Sequence, residues 1–218
     1  MKTGLTELVF ILDKSGSMGG LERDTIGGYN ANLTANREVE GECKVTTVLF
    51  DTAYTLLHDR VDIKKVKDIT EKEYAVGGGT ALLDALGRTI NSIGRALDGL
   101  DEDKRPEKVL FVIVTDGEEN SSKEFSAEQV REMVTHQREV YSWEFIFLGA
   151  NIDAVQTATQ YGFAANMAQN YHADHQGSQV LYASVAKAAT SFRSGASLDG
   201  WNDEIQADYA GRSSGTGL

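Results

Sequence analysis

Apolar residues in this chain fall into short unbroken runs, separated by longer stretches in which they recur every three or four positions. The first run, Leu8–Leu12 (LVFIL), is continuous rather than alternating, which suits a strand buried on both faces. Helical spacing follows from about Leu21 to Asn36. A β-branched run comes next, Lys44–Phe50 (KVTTVLF), with a hairpin partner at Ala53–Leu57. Asp62–Ile69 reads as a short charged helix and Gly77-Gly78-Gly79-Thr80 as a loop. In the segment ALLDALGRTINSIGRAL the apolar residues at 82, 83, 86, 90, 93 and 97 form one helical stripe. The charged loop Asp101–Glu107 holds the single proline, Pro106, and leads into the most apolar strand, Val109–Val114 (VLFVIV), which ends in Thr115-Asp116-Gly117. Ser126 and Gln129 stand in capping-box register for a helix to about Val140. A strand at Trp143–Leu148, a helix near Ile152–Tyr161, a weak strand near Phe163–Ala165 and a helix near Ser178–Phe192 complete the pattern.

Strands and helices alternate almost throughout. That order predicts an α/β fold, a doubly wound Rossmann-like open sheet, mainly parallel, with helices on both faces. The domain is expected over residues 1–193. Ser194–Leu218 is rich in Gly and Ser, lacks periodicity and is expected to be a mobile tail, with Trp201 and Tyr209 as aromatic exceptions able to pin it to the body. No internal repeat is present.

Charge narrows the function. With 21 Lys+Arg against 33 Asp+Glu the net charge is −12, which repels phosphate backbones and anionic membranes and argues against nucleic acid or a membrane as the partner. It suits divalent cations. The lone cysteine, Cys43, cannot form an intramolecular disulfide and reads as a small buried residue. The run Leu8–Leu12 is bracketed by Glu7 and Asp13 and is too short for a signal-peptide core or a membrane helix, so a cytoplasmic protein is expected.

Ligands of an open parallel sheet bind beyond the carboxyl ends of its strands. Both of the most apolar strands end there in an aspartate, Asp13 and Asp116. Asp13 opens Asp-Lys-Ser-Gly-Ser, whose i, i+2, i+4 spacing turns one carboxylate and the hydroxyls of Ser15 and Ser17 toward a common point. Gly16, Gly19 and Gly20 allow the tight backbone path. Thr80 adds a third hydroxyl after the glycine run. Two carboxylates and three hydroxyls form a hard oxygen set suited to Mg²⁺ or Mn²⁺, with Ca²⁺ as a further candidate.

Asp13-x-Ser15-x-Ser17, then Thr80, then Thr115-Asp116-Gly117 after an apolar strand, closely resembles the von Willebrand factor A domain family and its metal-ion-dependent adhesion site. The resemblance covers roughly Thr6 to Phe192. It implies a six-stranded sheet with the short hairpin strand antiparallel at the edge. It also implies a metal held by Asp13, Ser15, Ser17, Thr80 and Asp116, the last two exchanging direct ligation. The family's chemistry is binding rather than catalysis: an Asp or Glu of a protein partner completes the metal's coordination. Movement of the last helix can accompany that step in integrin-type members. The resemblance further suggests a bacterial or phage adaptor, with an ATP-driven remodelling machine as the partner class.

Other readings carry less. A haloacid dehalogenase-type phosphoryl-transfer enzyme also starts from a strand-end aspartate, but needs a second acid two residues on, where this chain has Ser15. The sequence around Ser17 lacks the first glycine of a hydrolase elbow, and the glycine run lacks the lysine of a P-loop. A scaffold with an unused metal site is the third class. Asp84 reads as a helix first-turn acid, Glu118, Glu119 and Asn120 as a solvated rim, and His172 and His175 as loop residues rather than ligands.

Overall fold

The computed structural model describes residues 1–213. Six strands form one sheet: β1 (Lys2–Asp13), β2 (Glu42–Phe50), β3 (Tyr54–Asp62), β4 (Pro106–Thr115), β5 (Glu144–Gly149) and β6 (Ala168–Asn170). Their order is β3-β2-β1-β4-β5-β6, parallel throughout except for the antiparallel hairpin of β2 with β3. The helices are α1 (Glu22–Arg37), α2 (Leu82–Asp98), α3 (Ala127–Tyr141), α4 (Ala154–Gln160), α5 (His175–Arg193) and α6 (Asp203–Ser213).

The continuous apolar runs have their cause in this layering. Leu8, Phe10 and Leu12 of β1 pack with α1, α5 and α6, while Val9 and Ile11 pack with α2, α3 and α4. A strand at the centre of a sandwiched sheet has no solvent face, so the run Leu8–Leu12 is apolar on both of its sides. The reversal of strand order at β1 and β4 opens a crevice beyond their carboxyl ends, where Asp13 and Asp116 lie.

Four local expectations are corrected. Asp62–Ile69 is not a helix: β3 runs to Asp62, a single 3-10 turn follows at Ile63–Lys65, and Asp62 caps it at Lys64 N. Ile63, Val66 and Ile69 are all buried, and Asn30 of α1 grips Ile69 through both backbone groups at 2.9 Å, which holds the segment extended. The strand expected at Phe163–Ala165 lies instead at Ala168–Asn170, because Phe163 turns into the core and a 3-10 turn intervenes. α5 starts at His175, three residues before the expected Ser178, because Asp174 accepts the Gly177 N–H at 2.8 Å and caps the helix there.

The fourth correction concerns residues 194–213, expected to lack regular structure. They contain α6, held by buried Ile205, by the Trp201 indole donating to Asn166 O at 3.0 Å, and by stacking of Tyr209 on His172. Arg212 also pairs with Asp208 and with Asp174, the cap of α5. The rest of the expected tail, 214–218, lies outside the described residues. Cys43 is buried as expected, and burial pushes its thiol up to about 12.

Candidate metal centre

Parallel pairing of β1 with β4 sets Leu12 against Val114, so the two strands end together. Asp13 is fully buried at that end. Its Oδ1 accepts the Ser15 N–H at 2.7 Å and its Oδ2 accepts the Thr115 hydroxyl at 2.6 Å. The Tyr74 hydroxyl donates to its backbone carbonyl. The side chain therefore has one available orientation.

The hydroxyls continue from it. Ser15 Oγ lies 3.0 Å from Ser17 Oγ, and Ser17 Oγ donates to Asp116 Oδ1 at 2.5 Å. The glycine loop closes on the same point through Gly16 N–H to Gly78 O at 3.0 Å and Gly77 N–H to Lys14 O at 2.9 Å. Thr80 is buried. A Cβ built on Gly117 would stand 3.2 Å from Ser17 Oγ and 3.5 Å from Thr80 Oγ1, so both hydroxyls border the same gap and glycine keeps it clear. All five residues expected from the sequence are thus brought together at one end of the sheet.

Burial raises the carboxyl of Asp13 above its ordinary value against the hydrogen bonds from Ser15 and Thr115, and the nearby Asp116 adds to the rise. Asp116 is raised too, again by burial, with Ser17 opposing. Lys14, next to Asp13 in sequence, is paired with Asp51. Two carboxylates held in a low-dielectric pocket are stabilised by a cation between them. Among the described residues no group of three or more His, Cys, Asp or Glu is placed to hold a metal. A cation here would rest on a set poor in formal charge, all oxygen, which fits a hard divalent ion.

The glycine loop, the start of α2 and the segment 117–125 are joined in a way the sequence does not announce. Thr80 N–H donates to Asn120 Oδ1 at 2.9 Å, and Thr80 O accepts from the N–H groups of Asn120 and Ser121. Leu83 N–H donates to Glu119 Oε2 at 2.9 Å and Asp84 N–H to Ser122 Oγ at 3.0 Å. In return the Asp84 carboxylate accepts from the N–H groups of Lys123, Glu124 and Phe125 at 2.9–3.0 Å. Burial opposes ionisation of Asp84, but these three donors outweigh it and hold the carboxyl below its ordinary value. Asp84 does sit in the first turn of α2, as read from the sequence, and it also organises a loop 40 residues away. Glu119 is no solvated rim acid; its Oε1 additionally caps Ser121 N–H and Ser122 N–H. Glu118 remains exposed at the rim. His172 stacks on Tyr209, and His175 pairs with Asp24 at 2.6 Å.

These features define an open, doubly wound α/β fold with a cluster of oxygen-bearing side chains at the carboxyl end of its central strands. No protein-family profile and no curated protein matches the sequence. Solved structures do share the fold. A von Willebrand factor type A protein from Catenulispora acidiphila superposes with a TM-score of 0.57 at 12% identity, covering 85% of this chain and 42% of that one. The D319A mutant of the PilB minor pilin from Streptococcus sanguinis gives 0.61 at 12% identity over 90% of this chain and 62% of that one. The pilus adhesin SpaC from Lactobacillus rhamnosus GG gives 0.65 at 11% identity over 88% and 30%. The chain spans less than two thirds of the length of each of these structures. No helix among the described residues is long and apolar enough to cross a membrane.

Proposed function

We propose that this chain is a protein-interaction module in which Asp13, Ser15, Ser17, Thr80 and Asp116 hold a divalent cation, Mg²⁺ or Mn²⁺, that an acidic residue of a partner completes. The observation that carries the reading is the unbroken chain of contacts from Asp13 through Ser15 and Ser17 to Asp116, with the Thr80 hydroxyl on the same gap. Two carboxylates leave a divalent ion little excess negative charge around it, so it stays electrophilic and takes a further carboxylate. The bound cation supplies Lewis acidity. The protein's own part is to fix the oxygens and keep the gap clear at Gly117. Binding rather than phosphoryl transfer is supported by Ser15, which stands where that chemistry needs an acid and spends its hydroxyl on Ser17. Similarity in fold to a protein named as a pilus adhesin agrees with a binding role. A cytoplasmic setting, with an ATP-driven remodelling machine as partner, is the biological context we propose.

The test is thermal unfolding of the wild type and Asp13→Ala with excess Mg²⁺ or Mn²⁺ and with EDTA. An ion at about 100 times its dissociation constant stabilises by about 2.7 kcal/mol. At roughly 2–4 °C per kcal/mol the wild-type midpoint should rise by about 5–10 °C. The variant should not respond. A wild type indifferent to both ions, with acetate present as external carboxylate, overturns the reading.

A further inference from the structure

Thr80 and Asp116 reach the site from different loops, and nothing in the sheet ladder ties one to the other. What ties them is the exchange of hydrogen bonds between the start of α2 and segment 117–125. Both backbone groups of Thr80 are taken by Asn120 and Ser121, the first free N–H groups of α2 by Glu119 and Ser122, and the backbone of 123–125 by Asp84. The contact is too close for side chains in between. A Cβ on Gly79 would overlap Ser121 Oγ and Asn120 Oδ1, and one on Gly87 would overlap the Phe125 ring. The glycines of the loop and of α2 are therefore required by this junction, at its two ends.

Given the cation site proposed above, on which this step rests, we infer that segment 117–125 is a latch that fixes Thr80 against Asp116, that Asp84, Glu119 and Asn120 are its positioning residues, and that the latch makes the site select a small octahedral cation over Ca²⁺. Both Asp13 oxygens already carry hydrogen bonds from the protein, which hold that carboxylate against turning to chelate with both oxygens, and Asp116 Oδ1 carries one from Ser17. Ca²⁺ takes six to eight oxygens in flexible geometry and draws on bidentate carboxylates; Mg²⁺ demands a near-ideal octahedron and tolerates little movement of its ligands. A pair of ligand loops locked by reciprocal bonds suits the second ion. Once the latch is loosened, Thr80 drifts from Asp116, the gap widens, and the penalty against the larger ion falls.

The experiment is calorimetric titration of the full chain with MgCl₂ and with CaCl₂, acetate present throughout, on wild type, Asp84→Asn, Glu119→Gln and the milder Ser122→Ala. Ile205→Ala, a buried change in α6 in the core cluster on the other face of the sheet from α2 and Phe125, serves as a variant destabilised for another reason. We expect Mg²⁺ affinity about 10–100-fold lower in Asp84→Asn and Glu119→Gln, the range for lost supports behind metal ligands. The ratio of Ca²⁺ to Mg²⁺ dissociation constants should fall at least severalfold in these two and less in Ser122→Ala. Ile205→Ala should keep the wild-type ratio. Should Asp84→Asn fail to fold, Glu119→Gln and Ser122→Ala decide. If wild type binds Mg²⁺ and the latch variants keep its ion ratio, the latch is overturned and the site stands. If wild type binds neither ion, both fall together.

Discussion

Thr115 Oγ1 donates to Asp13 Oδ2 at 2.6 Å across 102 residues of sequence, joining the last residue of β4 to the last residue of β1. Both side chains are fully buried, so the bond fixes a carboxylate that has no solvent to turn toward. The threonine thus serves the site without being one of its expected ligands.

Thr115→Val keeps the shape and removes the donor. One buried carboxylate oxygen then lacks a partner, at a cost of about 1–3 kcal/mol. For the cation site proposed above, losing this hold on Asp13 should lower Mg²⁺ affinity by about tenfold or more. Urea unfolding and calorimetry read the two effects separately. A variant as tight for Mg²⁺ as the wild type would show that Ser15 alone orients Asp13.

Glu7 is buried on β1, where Arg60 Nε donates to its Oε2 at 3.0 Å and its Oε1 has no hydrogen-bond partner. Burial raises its carboxyl above the usual range despite the attraction of Arg60. A raised acid favours the folded state below its unfolded value of 4.5 and loses that contribution as pH climbs through the folded value. Removing the cation in Arg60→Met raises Glu7 further. The variant should be about 3–5 kcal/mol less stable at pH 7, the range for breaking a buried pair. That deficit should narrow as pH falls toward 4.5, where Glu7 is increasingly neutral in both proteins. Unfolding at the two pH values checks it, and equal deficits would locate the damage in packing rather than charge.

Neighbouring glycines of α1 should respond in opposite directions. A Cβ on Gly27 meets nothing within 4 Å, so Gly27→Ala should stabilise by about 0.5–1 kcal/mol through helix propensity. One on Gly28 would sit inside the Tyr182 ring of α5, so Gly28→Ala should destabilise by about 1–3 kcal/mol as α1 and α5 are forced apart. Thermal unfolding of the two variants side by side is sufficient, and a shared sign would contradict the close approach of the helices at Gly28.

The sheet is legible in the sequence because burial on two faces makes unbroken runs such as Val109–Val114, and α2 because its stripe is long. The five site residues are legible because each stands at a strand end or beside a glycine turn. α6 is not: Trp201 stands ahead of it, and within it Ile205 and Tyr209 are set among polar and small residues, while what holds it comes from elsewhere in the chain, at Asn166, His172 and Lys187. Glu119 is equally silent. A carboxylate that caps a distant helix looks, in one sequence, like any acid in a polar loop.

The edges of the sheet have a consequence for the protein at high concentration. β6 is three residues long, and α6 lies against it. β3, nine residues long, is the more exposed border, yet its pairing with β2 slips twice and Arg60 within it is left-handed at φ 49°. Broken register and a charged, kinked strand offer a poor template for another chain's backbone. Two copies meeting side by side would find no straight row of amides to extend, so crowding should not drive this protein into continuous β ribbons.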